Sequence, residues 1–319
     1  MADRIRRVLV TRASTPLGRA LVERLRGAPD VEQVCAVESR PLSPSQREPG
    51  LDVVPLVPDH RPFVESLAQE AIDTVIQCGL TQDRCGLRRD DGEADVISTM
   101  SLGAVIAQPD SPVRSWIVAS STDVYPISSY APLVQSEKTP IVNPPATPGA
   151  SIEEAEEYAR DVAIRSPHLN VAILRLQHLV GPGVRGALAR LLSQRPVPSP
   201  IGYDPTIQLL HLEDAADALA FAARHELAGL YNVASAGLIH WRDAVRAAGS
   251  DPLPMLPVAF APLEGLAARA GLPHLPAELM GLLRYGHAAD TNRIERAGWR
   301  SRWDQRSILA ELGTTLADR

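Results

Sequence analysis

The sequence predicts an α/β fold, a doubly wound parallel sheet with helices on both faces and a smaller, mostly helical C-terminal part. Three observations lead there. Short, nearly continuous apolar runs of β type recur through the first half of the chain. Helical periods separate them, and strands buried on both faces read this way because neither side is left to water. The stretch VLVTRASTPLGRALVERL, Val8–Leu25, moreover sets a strand, a short turn and an amphipathic helix in immediate succession.

Taken in order, RVLVT (Arg7–Thr11) is the first strand and a helix follows from Pro16. QVCAV (Gln33–Val37), DVVPLV (Asp52–Val57), IDTVIQC (Ile72–Cys78) and RSWIVAS (Arg114–Ser120) are the next strands, the last preceded by a helical stretch at 95–107. The helical SIEEAEEYARDVAIR leads into the strand NVAILRL, Asn170–Leu176. Thereafter proline punctuates the chain: LVGPGVRG breaks the pattern, and RPVPSPIGYDP reads as a loop. IQLLHL (Ile207–Leu212) and GLYNVAS (Gly229–Ser235) read as further strands, a helix through Arg224 lies between them, and a last helix covers 304–316. This pattern predicts a nucleotide-type domain of 1–175 plus 207–235 and a smaller substrate domain of 176–206 plus 236–319.

The chain has 319 residues, 45% of them apolar, and a formal net charge of −6. That length sustains one large or two intimately joined domains. The acidic balance argues against nucleic acid or an anionic membrane as partner. Of 32 basic residues only Lys138 is a lysine. Cys35, Cys78 and Cys85 are odd in number and form no C-x-x-C pair, so they read as reduced thiols. No apolar run is long enough for a membrane span, no signal-peptide pattern occurs, and the expectation is a cytoplasmic protein. His178, His211, His225 and His240 stand isolated, with no metal spacing, and no metal is expected.

Six strings together resemble the extended short-chain dehydrogenase/reductase superfamily, in its NAD-dependent epimerase/dehydratase branch. VTRASTPLGRALVERL stands at the glycine-rich turn and VASSTDVYP at the strand with the active-site serine or threonine. VAILRLQHLVGPG matches the family's LRPxNVYGPG, LLHLEDAADAL its FVHVDDVADAL, YNVAS the following strand, and DTNRIERAGWR the closing element. The resemblance spans nearly the whole chain and implies a Rossmann-type fold and NAD or NADP as cofactor. It also implies a small molecule in the inter-domain cleft, and dimerisation through two helices, one of them Ser151–Arg165.

At the residues that matter the chain departs from the pattern. The three glycine positions fall on Arg12, Thr15 and Gly18. The first two glycines allow a tight turn and close approach to pyrophosphate, and the third allows helix and strand to pack. Thr15 places a branched side chain there and Pro16 withdraws an amide donor; against this, Arg12, Ser14 and Thr15 offer side-chain donors instead. Glu38, about 20 residues past Gly18, stands where a ribose diol is held, and Asp59 where the family contacts adenine. The resemblance also implies a Y-x-x-x-K pair, whose lysine lowers the tyrosine pKa. Its two positions carry Pro148 and Ile152, and no Y-x-x-x-K exists in the chain. Ser121 remains at the serine position with Tyr125 four residues on; lacking a cationic neighbour, Tyr125 is expected to titrate near its ordinary value. Ile207 replaces a diphosphate-clamping arginine, and Arg284 matches a second one only loosely. Glu213 or Asp214 is expected to cap the helix that follows, and EEAEE (Glu153–Glu157) to be a solvated helix face.

Three functions stay open: a binding or partner subunit without hydride transfer, an enzyme of non-redox chemistry such as dehydration, cyclisation or isomerisation, and a conventional epimerase or reductase with replaced groups.

Overall fold

The structure is a computed structural model that describes residues 6–38, 53–55, 67–80, 89–142, 148–256 and 274–317. Among the described residues seven parallel strands form the central sheet: β1 (Arg6–Thr11), β2 (Val31–Glu38), β3 (Val53–Pro55), β4 (Thr74–Cys78), β5 (Ser115–Ser121), β6 (Asn170–Leu176) and β7 (Gly229–Val233). Their order is β7-β6-β5-β4-β1-β2-β3. The chain leaves β1 towards β2 on one side and returns to β4 on the other. The crevice beyond the carboxyl ends of β1 and β4 is therefore the topological switch point, where doubly wound sheets receive ligands.

Every residue of β4 and of β5 is buried, which is why these strands read as nearly continuous apolar runs. Successive side chains point to opposite faces. Val8, Val10, Ile76, Ile117 and Leu174 pack against α1 (Pro16–Arg26) and α4 (Leu212–Arg224). Leu9, Val75, Trp116, Val118 and Ile173 pack against α2 (Arg89–Ile106) and α3 (Pro148–Arg165). α2 and α3 cross closely at Gly103, where a Cβ would come within 2.6 Å of the Tyr158 ring. A third apolar cluster joins Val180, Leu188, Leu191, Leu192, Val197 and Ile207 with Trp241, Leu283, Ile308 and Leu309, the last two on α5 (Gln305–Ala317).

Several expectations need correcting. The proline-rich stretch read as a loop contains a strand, Val197–Pro200, paired in parallel with Pro252–Met255. Proline removes donors from one edge only, so a short pair survives its presence. IQLLHL is no continuous strand: Thr206–Ile207 and Leu210–His211 make separate two-residue pairings, and α4 begins at Leu212. The cap of α4 is neither acid but His211, whose Nδ1 accepts from the Glu213 amide at 3.2 Å. Asp214 instead accepts from Ser235 Oγ and from the amides of Arg302 and Trp303. EEAEE is not wholly solvated either, because Glu156 is fully buried.

Candidate functional site

The turn after β1 keeps the shape that the glycine pattern demands. Arg12 has φ 53°, the left-handed conformation that favours glycine. Gly18 is required for packing, since a Cβ there would sit 2.2 Å from the Arg12 carbonyl oxygen. Thr15 is the N-cap of α1: its hydroxyl accepts from the Gly18 amide at 3.1 Å and donates to the Arg12 carbonyl at 3.0 Å. One of the amides a helix start offers to an anion is thus taken up inside the turn, and Pro16, at the first helical position, has none. The GPG loop also passes close, because a Cβ on Gly183 would lie 3.7 Å from Pro16 Cγ. Ser14 is half-buried in the same turn.

The Arg12 side chain crosses the switch-point crevice. Its guanidinium pairs with Asp95 on α2. On the way it lies over Gly79, just past β4, where a Cβ would be 3.2 Å from Arg12 Nε. Glu38 closes β2 and is aligned with Pro55 of β3, but its side chain, Asp59 altogether and Cys85 lie outside the described residues.

At the carboxyl end of β5, Ser121 caps a short 3-10 turn, Thr122–Val124. Its hydroxyl accepts from the Asp123 amide and donates to Asp123 Oδ2 at 2.9 Å. Tyr125 is buried, and its hydroxyl donates to Asn232 Oδ1 at 2.7 Å. The expectation that Tyr125 lacks a cationic neighbour is wrong: Arg175 Cζ stands 4.7 Å from its ring centroid. Burial nevertheless outweighs that cation and raises the Tyr125 pKa. Ile152, at the lysine position, is buried and packs with Val124 and Tyr125, so an apolar contact fills that space. Pro148 opens α3. Tyr158 points elsewhere, its hydroxyl donating to the Met100 carbonyl.

Around this edge gather residues that the sequence did not single out as a group. Glu156 and Arg175, both buried, form a bidentate ion pair with a shortest distance of 2.5 Å, and Ser120 donates to Glu156 at 2.6 Å. His178 is not isolated: its ring meets His287 edge-on with centroids 6.2 Å apart. Burial lowers the His178 pKa and raises that of Asp123, while each partly offsets the other. His287 is pushed down to about 3 by burial first and by His178 second, so it is neutral near pH 7. Shifted groups gathered at one strand end mark a candidate site. The one signal in the sequence was His178 itself, which stands where the string LRPxNVYGPG has asparagine. Ile207 is buried in the third cluster, and exposed Arg284 stacks between Tyr203 and Tyr285. Among the described residues no group of three or more His, Cys, Asp or Glu could hold a metal ion. No described helix is long and apolar enough to cross a membrane.

The sequence model of the NAD-dependent epimerase/dehydratase family matches residues 8–234. The chain belongs to the NAD-dependent epimerase/dehydratase family. Over 305 residues, 93% of this chain and 80% of the relative, it is 30% identical to uncharacterised proteins of Mycobacterium tuberculosis and Mycobacterium bovis. Solved epimerases and dehydratases share the fold across nearly their whole length. The dTDP-glucose 4,6-dehydratase of Bacillus anthracis, in complex with NAD, is 13% identical with a TM-score of 0.73, covering 98% of this chain and 97% of that one. The UDP-glucuronic acid 4-epimerase of Bacillus cereus, also with NAD, is 15% identical with a TM-score of 0.71, covering 98% and 99%. MoeE5, in complex with UDP-glucose and NAD, is 23% identical with a TM-score of 0.70 over the same shares. Within the epimerase/dehydratase family, then, this chain holds its first turn by an arginine and a threonine.

Proposed function

We propose that this epimerase/dehydratase-family protein binds a small molecule at the carboxyl edge of the sheet without conventional hydride transfer, as a binding or partner subunit. The observation that carries this reading is the Arg12 side chain lying across the crevice between β1 and β4 onto Asp95. Thr15 turns a helix amide inward and Pro16 supplies none, so a pyrophosphate arriving there meets a β-branched side chain and fewer donors. Those residues do not fit a dinucleotide. The proton relay is missing as well: Ile152 fills the lysine position, and the Tyr125 hydroxyl is spent on Asn232.

The pairing surface follows from α2 and α3. Ile97, Met100 and Ile164 are exposed there, at 56%, 45% and 76%. Ile97, Met100 and Ala104 share one face of α2 by their spacing. A second, related or identical chain meets this face. A non-redox reaction is the second reading, favoured by Asp123, which Ser121 hydrogen-bonds and which interacts with the buried His178.

The test is release of cofactor. Protein purified without added dinucleotide and then denatured is expected to release none, and stoichiometric NAD or NADP in the supernatant would overturn the reading.

A further inference from the structure

Arg12, Thr15 and Pro16 set the first turn apart from the glycine pattern, and they act in different places. The Thr15 hydroxyl is engaged within the turn, by the Gly18 amide and the Arg12 carbonyl. Pro16 lies towards the GPG loop, its Cγ 3.7 Å from where a Cβ on Gly183 would stand. Arg12 sends its side chain out of the turn, over Gly79 and onto Asp95 of α2.

The walls of the crevice do not depend on that side chain. Backbone bonds hold the turn: the Arg12 amide donates to the Val37 carbonyl at 2.8 Å, and the Arg12 carbonyl accepts from the Thr15 amide at 3.0 Å. Thr11 ties the ends of β1 and β4 together, its hydroxyl donating to the Cys78 carbonyl at 3.1 Å and accepting from the Cys78 amide at 3.0 Å. On the far side the Thr99 hydroxyl donates to the Asp95 carbonyl at 2.8 Å and accepts from Gln77 of β4 at 2.7 Å. Those bonds fix α2 where the guanidinium lands. Taking away the Arg12 side chain therefore leaves floor and walls in place, and glycine suits the φ of 53° better than arginine does.

Charge decides what the pair does to a ligand. The side chains of Arg12 and Asp95 are only 16% and 6% exposed. A guanidinium so covered is neutralised by its carboxylate, and it stands at the switch point, where a dinucleotide would bring its diphosphate. Asp95 left without its partner would repel the same group.

We propose that Arg12 and Asp95 together determine the specificity of the crevice: their ion pair is a built-in occupant that excludes dinucleotides from a site whose backbone would otherwise admit them. It rests on, and deepens, the reading that the wild-type crevice holds no dinucleotide.

The experiment is isothermal titration calorimetry of NAD into the full-length chain. The proteins compared are the wild type, Arg12→Gly/Asp95→Asn, Arg12→Ala/Asp95→Asn and Thr15→Gly, each first checked for cooperative thermal unfolding. Wild type and Thr15→Gly are expected to give no saturable heat. Both double variants are expected to give it, with a gain in affinity of at least about tenfold over wild type. Arg12→Gly alone, which uncovers the Asp95 charge, should gain less than the double variant. Silence from both double variants overturns the proposal, and so does binding by Thr15→Gly, which would place the barrier in the helix cap. Loss of cooperative unfolding in both double variants overturns it too, because the pair is then structural. Binding by the wild type overturns the reading of function along with it, whereas silence from wild type and double variants alike overturns this inference alone.

Discussion

The guanidinium of Arg12 reaches from the first turn of the fold to the carboxylate of Asp95 on α2, lying over Gly79 as it crosses. Its backbone holds a positive φ that glycine would adopt without strain. The residue therefore carries strain in exchange for a side chain that spans the crevice.

Arg12→Gly and Arg12→Ala both lose the ion pair, so that loss cancels between them. Only alanine keeps the left-handed strain, and Arg12→Gly should be the more stable by about 1 kcal/mol. Urea denaturation of the two variants measures the difference. Equal stability would mean that the backbone relaxes freely at this turn.

The buried pair on α3 predicts a larger effect. Glu156 is fully buried against Arg175, so Glu156→Gln leaves a buried cation without its counter-charge and should cost about 3–5 kcal/mol. Glu157→Gln, one position along and exposed, should change stability by less than about 0.5 kcal/mol. Similar losses in both would contradict the burial of Glu156.

The pH dependence has a definite sign. His287 is depressed from 6.5 to about 3 in the fold. Between those values the unfolded chain binds a proton that the native chain does not. Stability from this group is thus full above about pH 6.5 and falls by about 1.4 kcal/mol per unit as pH drops towards 3. His178 acts in the same direction, and Asp123, whose pKa is raised, acts oppositely. Tyr125, also facing His287, stays protonated throughout. The comparison is therefore wild type against His287→Gln between pH 7 and 4, and the wild type should show the steeper loss. Parallel profiles would contradict a neutral buried His287.

Much of the fold was legible because its physics is local. Strands buried on both faces leave nearly continuous apolar runs, and α1 starts where Pro16 and its Thr15 cap require. The strand at Val197–Pro200 was not legible, because prolines that spare one edge look the same in sequence as prolines that end a strand. The candidate site was legible where it had lost something: Arg12, Thr15 and Ile152 each break a spacing. It was illegible where it had gained. His178 and His287 lie about a hundred residues apart, and only the folded chain brings them together. Nor does any spacing say that Glu156, within an acidic run, turns inward to meet Arg175.

The apolar face of α2 and α3 predicts pairing. Ile97→Asp with Ile164→Asp should shift the protein from dimer to monomer in light scattering while leaving its circular dichroism spectrum unchanged, because both side chains are exposed. A wild-type chain that is monomeric, or a dimer indifferent to both changes, would contradict this surface.

The central claim is that the first turn no longer holds a dinucleotide, and thermal unfolding titrated with NAD and with NADP tests it most directly. The wild-type Tm is expected to stay constant up to millimolar concentrations of either. A rise that saturates, equivalent to about 2.7 kcal/mol at a hundredfold excess over Kd, would contradict it.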